Sequence, residues 1–111
     1  MILNNPISIQ YLAEIAKNFY GDMIKAAADV DAGIIAIDAE LHSDLEKELL
    51  ENGSSQEAIW GFNIYPDMIG DNFIEFDSLI NIRPRQGNRS RNVENASTRE
   101  KIRHIVTNYI K

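Results

Sequence analysis

The chain reads as an α+β protein: a two-layer sandwich with a four-stranded, mostly antiparallel sheet and three helices on one face, in the order α-β-β-α-β-β-α. Three observations carry this. Three stretches repeat apolar residues at spacings of three and four, as amphipathic helices do. Four stretches alternate apolar and polar residues, as half-buried strands do. Each helical stretch opens on a serine suited to cap it (Ser8, Ser43 and Ser97). The 111 residues, 44% hydrophobic and 25% charged, suit a single domain over 1–111 with one core.

The first helix follows Pro6, with Ser8 as its N-cap. Ile9, Leu12, Ala13, Ala16, Phe19 and Tyr20 form its stripe, and Gly21 ends it in the left-handed conformation. A hairpin comes next. With Ala32-Gly33 as a two-residue turn, Val30 pairs with Ile35, Ala28 with Ile37, Ala26 with Ala39 and Ile24 with Leu41, all apolar. A longer loop, bulged at Asp31 or Gly33, keeps the same faces with different partners. The second strand is expected to run on to His42. The second helix then starts at Ser43, where Ser43-Asp44-Leu45-Glu46 reads as a capping box, buries Leu45 and Leu49, and stops at Gly53.

The third strand spans about Ile59 to Tyr65, with Trp60, Phe62 and Ile64 on one face; Pro66 ends it. A long fourth strand, Phe73 to Arg83, points Ile74, Phe76, Ser78, Ile80 and Ile82 one way. After Pro84 the chain is polar and aperiodic, which predicts that 84–96 is the most mobile internal segment. The last helix begins at Ser97 with a second box, Ser97-Thr98-Arg99-Glu100, and buries Ile102, Ile105, Val106, Tyr109 and Ile110. The expected core is Ile24, Val30, Ile35, Ile37, Leu41, Trp60, Phe62, Ile64, Ile74, Phe76, Ile80 and Ile82.

Composition excludes several functions. With no Cys there is no disulfide, thiol nucleophile or Cys-based metal site. No run approaches the roughly 18–20 apolar residues of a membrane helix. The start, MILNNPISIQ, lacks the basic and apolar regions of a signal peptide. The expectation is a soluble cytoplasmic protein with no membrane partner. The net charge of −6 hides a polarity: residues 1–82 hold 3 basic and 15 acidic side chains, residues 83–111 hold 8 basic and 2 acidic. Such a split means either internal ion pairing or a basic segment that meets an anion. The acidic body, and the lack of an aromatic stacking surface, argue against general duplex nucleic-acid binding.

Chemistry-bearing residues collect on the sheet face expected to be uncovered: Lys25, Asp29, Asp31, Asp38, Glu40 and His42 from the first hairpin, and Asn63, Tyr65, Glu75, Asp77, Asn81 and Arg83 from the second. The bland reading is a wet face with scattered ion pairs. The sharper one takes Asp38-x-Glu40-x-His42 and Glu75-x-Asp77 as ligands of a divalent metal that activates water, a small phosphoester hydrolase. Arg83, Arg85, Asn88, Arg89, Ser90 and Arg91 suggest something else. Arginine forks match phosphate and carboxylate, and Gly87 and Asn88 permit turns that expose N–H groups to an anion. The alternative is that these arginines pin the loop to the acidic face.

Three stretches, ELHSDLEKELLENGS at 40–54, IWGFNIYPD at 59–67 and FIEFDSLINIRPRQGNRSR at 73–91, resemble a family of small uncharacterised prokaryotic proteins, a domain of unknown function. The resemblance implies a stand-alone soluble prokaryotic protein and brings no activity, cofactor or catalytic residue. The leading expectation is a non-enzymatic module, without cofactor, that binds a small anionic ligand or a protein partner through the open sheet face and the loop 83–91. The alternatives are the metal-dependent hydrolase and, from size and charge polarity, a component of an oligomeric or toxin–antitoxin-like assembly.

Overall fold

A computed structural model describes residues 1–111. Its elements are α1 (Ile9–Ala16), β1 (Ile24–Asp29), β2 (Ile34–Ile37), α2 (His42–Glu51), β3 (Ile59–Ile64), β4 (Ile74–Glu75) and α3 (Ala96–Tyr109). The α+β class and the α-β-β-α-β-β-α order are as expected, and every strand pair is antiparallel, in the order β2-β1-β3-β4. No helix is long and apolar enough to cross a membrane.

Ser8 caps α1 by accepting the Tyr11 N–H. The helix ends a turn before its apolar stripe does. The Gly21 N–H closes back onto Ala16 O at 2.9 Å with Gly21 at φ 84°, so Phe19 and Tyr20 lie on the surface. The hairpin loop holds four residues rather than two. The Asp29 carboxylate accepts the Asp31 and Ala32 N–H groups and Gly33 sits at φ 72°. The register is Ala26 with Ile37 and Ala28 with Ile35, two residues from the two-residue-turn pairing. A shift of two leaves each side chain on its face, which is why the face assignment survives.

The helices do not all lie on one face, as expected, but on both. Ile24, Ala26, Ala28, Ile35, Ile37, Trp60, Phe62 and Ile64 pack with Leu12 and Ile15 of α1 and with Ile102, Ile105 and Val106 of α3. The opposite side chains, Ala27, Ala36 and Ile59, pack with Leu45 and Leu49 of α2. The sheet is therefore sandwiched, because β1 and β2 carry small or apolar residues on both faces. Capping differs too: Asn95, not Ser97, caps α3. Neither side-chain box nor any other side chain caps α2, which starts at His42 behind Leu41.

Two strands are shorter than expected. β2 stops at Ile37 because Asp38 takes a left-handed φ of 70°, which throws 38–41 out of the sheet and leaves Leu41 exposed. β4 keeps only Ile74 and Glu75. The chain then turns at Leu79–Asn81, with the Ser78 hydroxyl accepting the Ile80 N–H. Ile74, Phe76 and Ile80 are half-buried and Ile82 is exposed. Where a fourth strand would continue, the Asn81 side chain bonds β3 instead. Its Oδ1 accepts the Gly61 N–H and its Nδ2 donates to Gly61 O, both at 2.9 Å. Gly61 must lack a side chain, since a Cβ there would meet Ser78 Oγ at 2.6 Å and Ser78 Cβ at 2.8 Å.

Two substitutions test this junction by urea unfolding. Gly61→Ala should cost about 1–3 kcal/mol through overpacking. Asn81→Ala should cost about 3 kcal/mol, because it orphans buried backbone donors and acceptors. Losses below about 0.5 kcal/mol for both would mean the junction contributes nothing.

Candidate functional site

The loop 83–91 is tied down from within. Arg83 is held by backbone oxygens: its Nε donates to Ile80 O at 3.0 Å and its Nη2 to Ile59 O. Its guanidinium stacks 4.7 Å from the Trp60 ring and lies 3.7 Å from Glu46. Asn88 is buried; its Nδ2 donates to the carbonyls of Asn81, Ser90 and Asn92, and its Oδ1 accepts the Glu94 N–H. The backbone turn that Gly87 and Asn88 were expected to offer an anion does bind one, supplied by the chain itself. Glu94 Oε2 accepts the N–H groups of Arg89 and Ser90 and the Ser90 hydroxyl, at 2.7, 2.9 and 2.8 Å. The Ser90 hydroxyl and then the Arg89 amide hold the Glu94 carboxyl below its usual range. Arg85 and Arg89 have exposed side chains in no ion pair. Arg91 reaches back to Asp77, Nε to Oδ1 at 2.5 Å.

The expected carboxylate–histidine cluster does not assemble. Asp38 and Glu40 leave the sheet with the bend after Ile37, while His42 opens α2 and is buried. No group of three or more His, Asp or Glu side chains is placed to hold a metal ion. The alternation that put Asp38, Glu40 and His42 on one strand is overturned by the left-handed Asp38.

What the structure does gather is a cleft of about 640 Å³ on the α2 side of the sheet. Its floor is a row across three strands, since Lys25 pairs in register with Asn63 and Asn63 with Glu75. The start of α2 (Leu41, His42, Ser43) forms one wall, and Asp77, Leu79 and Arg91 form the other. Glu75 Oε1 accepts from Asn63 Nδ2 at 2.9 Å and from the Tyr65 hydroxyl at 3.0 Å. Burial, and then that carboxylate, push the Tyr65 hydroxyl up from its usual pKa. Asn63 is 5% exposed, and its Oδ1 accepts no hydrogen bond. Lys25 is half-buried, in no ion pair, with its amine 5.1 Å from the centre of the Tyr20 ring. His42 Nε2 lies 2.8 Å from Phe62 O, which needs a donor, so in the neutral ring Nδ1 is the acceptor. Burial dominates in lowering the His42 pKa below 6.5, with Lys25 adding to it.

Of the residues singled out in the sequence, the cleft brings together Lys25, His42, Asn63, Tyr65, Glu75, Asp77 and Arg91; it leaves out Asp29, Asp31, Asp38, Glu40 and Asn81 of the sheet face and Arg83, Arg85, Asn88, Arg89 and Ser90 of the loop. The contribution of Leu41, Ser43 and Leu79 had no sequence signal except, for Leu79, an apolar residue on the polar side of an alternating stretch.

The family model described as "Protein of unknown function (DUF5674)" matches residues 1–109, and the chain belongs to that family. No curated protein and no solved structure matches it.

Two outcomes follow from the buried imidazole and the occupied turn. The His42 ring should titrate with a midpoint below 6.5 in an NMR titration. Its contribution to stability is then fully present above 6.5 and is lost as pH falls from there to the folded-state pKa. A midpoint at or above 6.5 would contradict the burial argument. For the turn, Glu94→Ala should make amide exchange at Arg89 and Ser90 clearly faster while leaving β1 and β3 unchanged. Unaltered exchange there would show that the carboxylate does not order it.

Proposed function

We propose that the protein is a binding module for a small molecule carrying an anionic group, and that the cleft between the open part of the sheet and the start of α2 is its site. One observation carries this reading: Lys25 presents a cation in a roomy concavity and forms no ion pair with Glu75 or Asp77, the carboxylates that share it. The uncapped start of α2 supports it, because the first N–H groups of a helix lack intrahelical partners and the helix dipole favours an anion there. Arg91 belongs to the site and already pairs with Asp77, so it frames the cleft and leaves Lys25 as the free charge.

Binding is favoured over hydrolysis by how the carboxylates are used. Asp77 is bound to Arg91, and Glu75 accepts from Asn63 and Tyr65. Neither converges with further His, Asp or Glu side chains on a common point, as metal-assisted water activation needs. The loop arginines Arg85 and Arg89 stand apart from the cleft, and Arg83, Asn88 and Ser90 serve the fold.

The test is an NMR titration with pentanoate and with inorganic phosphate. Shifts should centre on Lys25, Ser43 and Asn63. Lys25→Met, which keeps the aliphatic stem, should weaken binding about tenfold, the worth of one charge-assisted hydrogen bond. Shifts centred on Arg85 and Arg89, with Lys25→Met silent, would move the site to the loop and end this proposal.

A further inference from the structure

We infer that the ligand taken by this cleft is a zwitterion, with its acid group at Lys25 and a protonated amine at the Asn63 and Glu75 end. The inference rests on the anion-binding reading and adds the second pole. Lys25, Asn63 and Glu75 occupy successive strands in one register row. With strands about 4.8 Å apart, the outer two backbones stand about 10 Å from each other. The Arg91–Asp77 pair compensates itself. What remains uncompensated on the floor is one cation, Lys25, and one anion, Glu75.

Lys25 and Glu75, at the two ends of the row, fix which way the poles run, with the Asn63 amide held between them. Its Nδ2 donates to Glu75 Oε1 and to Asp77 O, so the amide cannot be flipped without setting oxygen against oxygen. Its Oδ1 is buried, with the Asn63 side chain within hydrogen-bond reach of the His42 ring, so the acceptor left for a ligand is Glu75 Oε2, which accepts nothing from the protein. An unused carboxylate oxygen and one net negative charge on Glu75 call for a cationic donor, which an ammonium supplies. A purely anionic ligand would satisfy Lys25 and bring a like charge toward Glu75. Leu41, 50% exposed, and Leu79, 67% exposed, flank the row and offer apolar walls to a methylene spacer between the two poles.

Three probes of equal length decide it: 5-aminopentanoate, pentanoate and pentylamine, titrated by calorimetry and NMR against the natural chain, Glu75→Gln and Lys25→Met. The zwitterion should bind at least about tenfold more tightly than either single-pole probe. Glu75→Gln should bring 5-aminopentanoate down to the pentanoate level and leave pentanoate itself unchanged. If pentanoate binds as tightly as 5-aminopentanoate and Lys25→Met weakens both, the zwitterion inference fails and the anion-binding reading stands. If pentylamine binds as tightly as 5-aminopentanoate without dependence on Lys25, or no probe shifts the cleft residues, both fail. Should Glu75→Gln not fold, the ranking of the three probes on the natural chain decides alone.

Discussion

Asn81 stands in for a strand. Beyond Glu75 the outer edge of β3 has no backbone neighbour, yet the Gly61 N–H and C=O are buried and must be paired. A primary amide carries a donor and an acceptor side by side, as a strand residue does, and Asn81 presents both to Gly61. This one exchange of side chain for backbone frees the chain from the sheet register. The segment after Ser78 can then cross the α2 side of the sheet instead of extending it. Asn81 Nδ2 also reaches Arg91 O, and Asn88 holds Asn81 O, so two buried amides build the crossing in layers. Remove the first pairing and the path that returns Arg91 to Asp77 has nothing to lie on.

The α2 face of the sheet reads as three rows. Ile34, Asp29 and Ile59 form one, Ala36, Ala27 and Gly61 the next, and Lys25, Asn63 and Glu75 the third. The middle row is small, which lets Leu45 and Leu49 of α2 and the Ser78–Asn81 turn come close to the backbone. The third row is polar; Asn63 at its middle is buried, but the long Lys25 and Glu75 at its ends stay uncovered, and the helix and the turn stand as walls beside it. The cleft is thus a consequence of side-chain size on adjacent rows. Burying Lys25 or Glu75 under a helix would cost more than packing returns.

Much of this was legible in the sequence, and the failures have physical causes. The class, the order of elements and the inward face of each strand followed from periodicity, which is insensitive to a register shift of two. Helices on both faces were missed because Ala27 and Ala36 look neutral beside Ile35 and Ile37, although small residues on the second face of a strand are what a close helix needs. The run from Asp38 to His42 alternates perfectly on paper. A single left-handed φ at Asp38 breaks it, and no alternation rule sees one dihedral. The long fourth strand failed at Ser78 and Asn81, both residues that bond to nearby backbone and so compete with a ladder. Leu79 and Ile82, left exposed, were the cost of that turn. For the site, period 2 correctly set Lys25, Asn63 and Glu75 on one face. Which of a dozen polar residues on that face would lie beside one another depended on strand order, which one sequence does not reveal.

The arginine segment shows how a recognisable anion-binding signature can be satisfied internally. A left-handed Gly87, the N–H groups of Arg89 and Ser90 and a serine hydroxyl do bind a carboxylate, and it is the one four residues on from Ser90. A tethered carboxylate acts at a high effective concentration, so a free anion must displace it at a disadvantage before gaining anything. Arg83 is likewise spent on backbone carbonyls and on Trp60. Lys25 carries no such prior commitment: its amine meets an aromatic face and open solvent. On the proposed reading an anion would gain more at Lys25, which stands in a concavity, than at the committed Arg83 or at Arg85 and Arg89, which are unpaired but stand apart from the cleft.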